Sequence, residues 1–266
     1  MSVLISKLAR EVNSLNVPAE EVKGTMFCIN YGDQQINFVR SLRKSNANRV
    51  LIKVHPDCRV AVQAPSSASD NDVVVAVKKR ARWILTQLKH FKEQMAYMTP
   101  RQYVSGEGHY YLGKQYQLKV LVETAGKQQV KLFRGVIVVT TRSKSSEKVR
   151  ELLLSWYKDR AKETFLKRLS EMLPKTIWVS DIPPIRIKTM QTQWGSCSPS
   201  GRLTLNPHLV KASRDCIDYV LLHELCHIAE HNHSDRFYRL MKQVMPEWEK
   251  IKERLDGSAA AILNGV

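Results

Sequence analysis

Residues 221–237 read L-L-H-E-L-C-H-I-A-E-H-N-H-S-D-R-F and hold four of the chain's eight histidines, His223, His227, His231 and His233. A metal site built from protein groups usually draws on three or four such ligands. His223-Glu224-Leu225-Cys226-His227 has the form H-E-x-x-H. Apolar residues at 217, 220, 221, 222, 225 and 228 predict a buried helix around it. On a helix, residues four apart share a face and lie about 6 Å apart along the axis, so two imidazoles can converge on one ion. Glu224 follows the first ligand and is placed to act as general base toward a metal-activated water rather than as a ligand. Random placement of 8 His and 15 Glu in 266 residues would produce this pattern with a probability of roughly 0.01.

A catalytic zinc needs a third protein ligand and an open position. Three candidates compete. His231 continues the row of His223 and His227 if the helix runs on, but three such residues span about 12 Å and cannot surround one ion. His233 requires the helix to end first, and Asn232 can leave it through a left-handed conformation. Ser234 would then cap the next helix, with Asp235 in its first turn. The third candidate is an acid on a later helix, Glu247 or Glu249. The reading favours His233. The spacing is similar to the metzincin pattern, except that Glu230 stands where that pattern has glycine.

The elements that must position these residues follow from periodicity. A short amphipathic helix is expected over residues 1–16, and antiparallel strands over Met26–Tyr31, Gln35–Leu42, Arg49–Val54 and Arg59–Gln63. Ser69 or Asp70 would cap a helix from about Asn71 to Met98. Two longer strands are expected at Tyr110–Glu123 and Gln129–Thr141, then a long helix over Ser145–Leu173 ended by Pro174. Short strands follow at Ile177–Val179, Ile185–Met190 and Arg202–Asn206. A helix then runs from about Ser213 through the histidines, with two more near Ser234–Val244 and Pro246–Leu255. The order implies an α+β chain. It comprises a basic, β-rich N-terminal region with a long helix over 1–143, a helix-rich domain with a small sheet over 144–256, and a frayed tail over 257–266.

Several stretches together carry a family resemblance: Gln193-Trp194-Gly195-Ser196-Cys197-Ser198, Gly201–Asn206, Ile217–His227, Asn232-His233-Ser234 with Phe237, and Pro246-Glu247-Trp248. They resemble the YgjP-like metallopeptidase family, and more distantly the SprT-like and WLM zinc proteases. The resemblance is specific over about residues 190–256 and looser in the β-rich first half. It implies that residues 144–256 form a compact zincin-type metallopeptidase domain with an active-site helix and a small sheet, with zinc held by His223, His227 and His233 and Glu224 as catalytic acid/base. The distant relatives act on proteins crosslinked to DNA or on modified proteins. In zincins a strand edge near the active-site helix commonly binds the substrate backbone by strand addition. Trp194, Gly195, Ser196 and Cys197 are assigned to that edge, and His231 is left as a substrate or supporting contact. Cys197 as a nucleophile is the less economical reading, since H-E-x-x-H already accounts for the histidines. Tyr219, Arg236 and Tyr238 are near enough in sequence to stabilise an oxyanion.

Charge and cysteines bound the rest. The net charge is +17, and the excess sits early: residues 1–144 carry 23 Lys+Arg and 10 Asp+Glu, against 19 and 15 in residues 145–266. Such an excess favours polyanionic partners, nucleic acid first. Five scattered cysteines without C-x-x-C exclude a Cys-rich zinc finger and fit reduced thiols in the cytoplasm. No stretch approaches a membrane span, and the N-terminus lacks the form of a signal peptide. The expected function is a metalloendopeptidase with one Zn²⁺, acting on protein or peptide substrates and extending to proteins held on DNA. The alternative is a basic nucleic-acid-binding module with a structural zinc site, which would show a fourth protein ligand.

Overall fold

The computed structural model describes residues 24–43, 49–55, 58–96, 100–190 and 193–263. The helix expected over residues 1–16 lies outside them. Packing divides the chain into two compact units, one up to Leu88 and one from Lys89.

The first unit is a four-stranded sheet with helical cover. β1 (Thr25–Tyr31), β2 (Gln34–Leu42), β3 (Leu51–Val54) and β4 (Val60–Ala64) are ordered β1-β2-β4-β3. The strands are not all antiparallel as expected: β2 and β4 pair in parallel, with Val39 opposite Ala61 and Leu42 opposite Ala64. β4 is the strand that can be central, because Val60, Val62 and Ala64 are buried on one face. The single helix expected from about Asn71 is two helices. α1 (Asp70–Lys79) starts at a capping box between Ser69 and Asp72 and ends at Arg80, and α2 (Ala81–Ala96) begins anew. Ile36, Phe38, Val62, Val73, Val77 and Ile84 form the centre of this core.

In the second unit the two longer strands expected are four: β5 (Gly108–Tyr111), β6 (Lys114–Val122), β7 (Gln129–Phe133) and β8 (Val136–Thr141). Each pair is joined by a two-residue turn with both residues at positive φ, Leu112-Gly113 at 49° and 78° and Arg134-Gly135 at 49° and 78°. Glycine second in the turn makes the reversal cheap, and the apolar or long first residue hides it from a pattern search. α3 (Ser146–Met172) follows, capped by Ser145. Its buried stripe of Val149, Leu153, Tyr157, Ala161, Phe165 and Leu169 keeps the spacing of one helix face.

β9 (Ile185–Ile187), β10 (Gly195–Cys197) and β11 (Leu203–Leu205) make a small sheet in the order β10-β11-β9. Ile177–Val179 is a turn rather than a strand; its Trp178 Nε1–H donates to the Leu225 carbonyl at 3.0 Å. Three helices complete the unit: α4 (Arg214–Ala229), α5 (Asp235–Val244) and α6 (Trp248–Leu263). α6 runs through the stretch expected to fray, burying Ala259, Ala260 and Ile262. Leu118, Ile137 and Val139 of the second sheet share one core with α3 and α4, so residues on both sides of 143 bury the same apolar surface.

Candidate metal centre

α4 is apolar nearly all round, and Ile217, Leu221, Leu222, Leu225 and Cys226 are fully or almost fully buried. Each buried side chain of this size contributes about 1.5–3 kcal/mol, which anchors the helix firmly. Asp218 on α4 is paired with Arg168 of α3, whose Nε–H donates to Oδ1 at 2.7 Å. Out of this anchored helix project the half-buried rings of His223 and His227, one turn apart.

The helix then stops. Its last residue is Ala229, and Glu230 is extended at φ −146°, ψ 104°. The exit is therefore at Glu230 and through extended backbone, not at Asn232 through a left-handed one as expected. This removes His231 from the row of helical histidines and leaves it exposed. The Ser234 N–H donates to the Asn232 carbonyl at 2.8 Å, and the Ser234 hydroxyl caps α5 by accepting from the Phe237 N–H. The corner brings His233 back. One ring nitrogen from each of His223, His227 and His233 lies within 4.8 Å of the others, and the Nε2 atoms of His223 and His233 are 3.0 Å apart. Two nitrogens bound tetrahedrally at 2.0–2.1 Å to one zinc would sit roughly 3.3 Å apart, so the donor set fits such an ion. Glu247 is directed elsewhere, pairing with Lys250 at 2.5 Å.

The protonation states suit ligation. Burial, reinforced by the two neighbouring histidines and Lys252, pulls the His223 imidazole down to about 3. Burial and then His227 also lower His233. Both rings are therefore neutral at neutral pH and keep a lone pair to offer. His227 Nδ1 is 3.1 Å from the Glu230 carbonyl. A carbonyl only accepts, so Nδ1 carries the proton and Nε2 is the free donor atom.

Glu224, next to His223 on α4, lies against β10. Its carboxyl is buried and raised to about 8 by that burial, with the Cys197 N–H donating to it and partly offsetting the rise. Gly195 is where the strand meets it. A Cβ built at Gly195 would lie 2.7 Å from Glu224 Oε1 and 2.8 Å from its Cγ, closer than real Cβ atoms come. Glycine here is a matter of close approach. The strand itself is held by Asn206, whose side-chain amide donates to the carbonyls of Met190 at 2.8 Å and Gln193 at 3.2 Å, while its own N–H donates to the Trp194 carbonyl at 2.8 Å.

With this geometry in view, comparison with known proteins places the chain. The family described as YgjP-like, metallopeptidase domain, matches residues 48–258. The chain belongs to the YgjP-like metallopeptidase family. Among solved structures, it is similar to the metallopeptidase zymogen of Pyrococcus abyssi abylysin, with 24% identity over 34% of this chain and 90% of that one, TM-score 0.32. It is also similar to the metallopeptidase zymogen of Methanocaldococcus jannaschii jannalysin, with 25% identity over 37% and 96%, TM-score 0.30. No curated protein matches. Peptide or protein substrates follow from membership of a protease family.

The remaining predicted residues of this YgjP-like domain scatter. Trp194 and Cys197 are half-buried against the core. The Cys197 thiol is pushed up to about 11 by burial and then by Glu224, so it stays protonated and is not a nucleophile at neutral pH. Tyr219 is buried and stacked on Trp248 at 6.4 Å, and burial raises its hydroxyl. Tyr238 is exposed and stacks on His233 at 6.3 Å, and Arg236 is exposed. Four residues were given no role in the sequence reading: Asn206, Phe237, Arg168 and Asp218. Only Phe237 carried a local signal, an apolar residue three positions after a capping serine.

Proposed function

We propose that the protein is a zinc-dependent endopeptidase in which His223, His227 and His233 hold one zinc ion and Glu224 is the general base. The observation that carries this reading is the convergence within 4.8 Å of three imidazole nitrogens, two from a helix that also presents a buried carboxylate and one from the corner that follows it. Zinc at such a centre supplies Lewis acidity, polarising a carbonyl and bringing the pKa of a water near neutrality. The three imidazoles bind as neutral donors and add no negative charge of their own. Glu224, held by the Cys197 N–H and walled by Gly195, takes a proton from the attacking water and returns it to the leaving amine. Because burial holds its carboxyl near 8, Glu224 depends on adjacent positive charge to be ionised at neutral pH.

β10 lies at the edge of its sheet, directly beside Glu224. An extended substrate adding to the free edge of Trp194–Cys197 would bring a peptide carbonyl to the centre, with exposed His231 as a further contact. Among the described residues three ligating side chains converge rather than four, which supports a catalytic over a structural site. The early excess of basic residues supports extending the proposal to substrates held on DNA.

The test is zinc analysis together with protein cleavage by wild type and Glu224→Gln, each with and without DNA. Stoichiometric zinc in both proteins, with cleavage only by wild type, is the expected result. Normal cleavage by the variant would remove Glu224 from its role. Absence of any salt-dependent DNA binding would remove the nucleic-acid extension alone.

A further inference from the structure

We propose that Phe237 is the positioning residue of the ligand set, a shared apolar floor that holds the three imidazoles converged before any ion arrives. The inference rests on the proposal that these histidines bind zinc. The observation behind it is a four-ring cluster. The centroids of His223, His227 and His233 form a triangle with sides of 4.9, 5.0 and 4.7 Å. The Phe237 ring stands 4.9 Å from the first, 4.6 Å from the second and 4.7 Å from the third. It therefore occupies the fourth corner of a nearly regular tetrahedron, and it is fully buried.

Two of these contacts, to His223 and His233, are edge-on at 70° and 78°, the geometry that aromatic pairs favour. An apolar ring at this corner does two things that a polar one would not. It offers no donor or acceptor, so it leaves the lone pairs of the imidazoles undiverted. It also shuts water out of that side of the triangle, so the histidines can be approached only from the opposite side.

The placement is built into the start of α5. His233 precedes the capping Ser234, and Phe237 is the third residue of the first turn. Tyr238, the fourth, stacks on His233 at 27° between planes. This is the arrangement of a hydrophobic staple, in which the residue before a helix cap packs on the fourth residue after it. The cap thus fixes the angle at which the third ligand enters, and Phe237 fixes the depth to which all three rings can sink. Ligand sets positioned by their surroundings in this way bind metal with less reorganisation.

The experiment compares full-length wild type, Phe237→Leu, Phe237→Met and Phe165→Leu. Phe165 is equally buried, in α3, and touches none of the three histidines in the contacts described. Zinc affinity is measured by competition with a chromophoric chelator. Ligand geometry is read from the visible absorption of the cobalt(II)-substituted proteins, and the melting temperature of each metal-free form is recorded. Phe237→Leu is expected to weaken zinc binding by about 10- to 100-fold and to alter the cobalt spectrum. Phe237→Met, closer in volume, should lose less. Phe165→Leu should lower the melting temperature while retaining wild-type zinc affinity and spectrum. If either folded Phe237 variant matches wild type in both readouts, the inference is overturned. The same holds if Phe165→Leu weakens zinc binding as much as Phe237→Leu. Failure of the underlying zinc reading would look different: wild type itself would bind no zinc.

Discussion

The two units of this chain have differently made cores. The first is apolar in composition: Ile29, Ile36, Phe38, Val60, Val62, Val73, Val77 and Ile84 fill it, and His55 is the one buried polar residue of that unit among those described. The second buries His109, Asn206, His208, Lys211, Asp218 and Glu224 alongside its apolar residues. Burying a polar or charged group costs free energy unless it is partnered, so a core accumulates such groups where something other than stability is served. Arg168 partners Asp218, the loop before β10 is tied down through Asn206, and Glu224 accepts from Cys197. The contrast locates the chemistry in the second unit without reference to any motif.

The sharpest way to break this contrast is Glu224→Gln. If Glu224 is the general base proposed, its loss should lower kcat by about 10²- to 10⁴-fold while zinc content stays at the wild-type level by metal analysis. A variant that loses its zinc would mean that the carboxylate serves binding instead. Gly195→Ala should come next. The added methyl group displaces Glu224, and a misplacement on the order of 1 Å costs roughly 10²-fold. The loss should appear in kcat, with KM and zinc affinity retained, and unchanged kcat would show that the strand can yield.

Ile36→Val probes the other core. It should cost about 0.5–1.5 kcal/mol in denaturant unfolding of the first unit and leave zinc binding and peptide cleavage untouched. Any effect on zinc binding would deny the independence of the two cores.

The last effect expected, on stability alone, is at Lys211. Its ammonium is buried over the Tyr157 ring and donates to the Ile262 carbonyl at 2.9 Å. Burial, with a lesser contribution from Arg101, brings its pKa down to about 7 from an ordinary 10.5. The folded state then binds its proton less readily than the unfolded state does. Stability should therefore rise as pH increases from about 7 to about 10.5 and be flat in this respect below 7. In Lys211→Met this rise should vanish, read as a melting temperature that no longer climbs over that window. An identical pH profile in the variant would show that the ammonium is not what titrates there.

Much of this was legible from residue order. H-E-x-x-H on an apolar background announced α4, and capping chemistry announced two further helix starts, one at Ser234 and one at Ser69, weighed together with Asp70. Less was legible where the deciding contact lay far along the chain. The turns at Leu112-Gly113 and Arg134-Gly135 break what look like continuous strands, because only glycine signals the reversal. The parallel pairing of β2 with β4 depends on which strands take the central places of the sheet, which alternation alone cannot rank. The boundary near residue 143 followed a change in composition, whereas the packing follows the shared core of β6, β8 and α3.

For the candidate site itself, sequence alone determined the candidate ligand types, the pairing of His223 with His227 and the presence of a carboxylate between them, since helical spacing is a local property. It narrowed the third ligand without fixing it. Only the tertiary structure decided that the chain leaves α4 at Glu230 in extended form, that Ser234 turns it into α5, and that His233 thereby meets the other two. Only the fold, too, sets Gly195 against Glu224 and Phe237 beneath the three rings. The reason is physical. Periodicity encodes which face of an element is buried, but the angle between two elements is set by caps, close approaches and the side chains trapped between them.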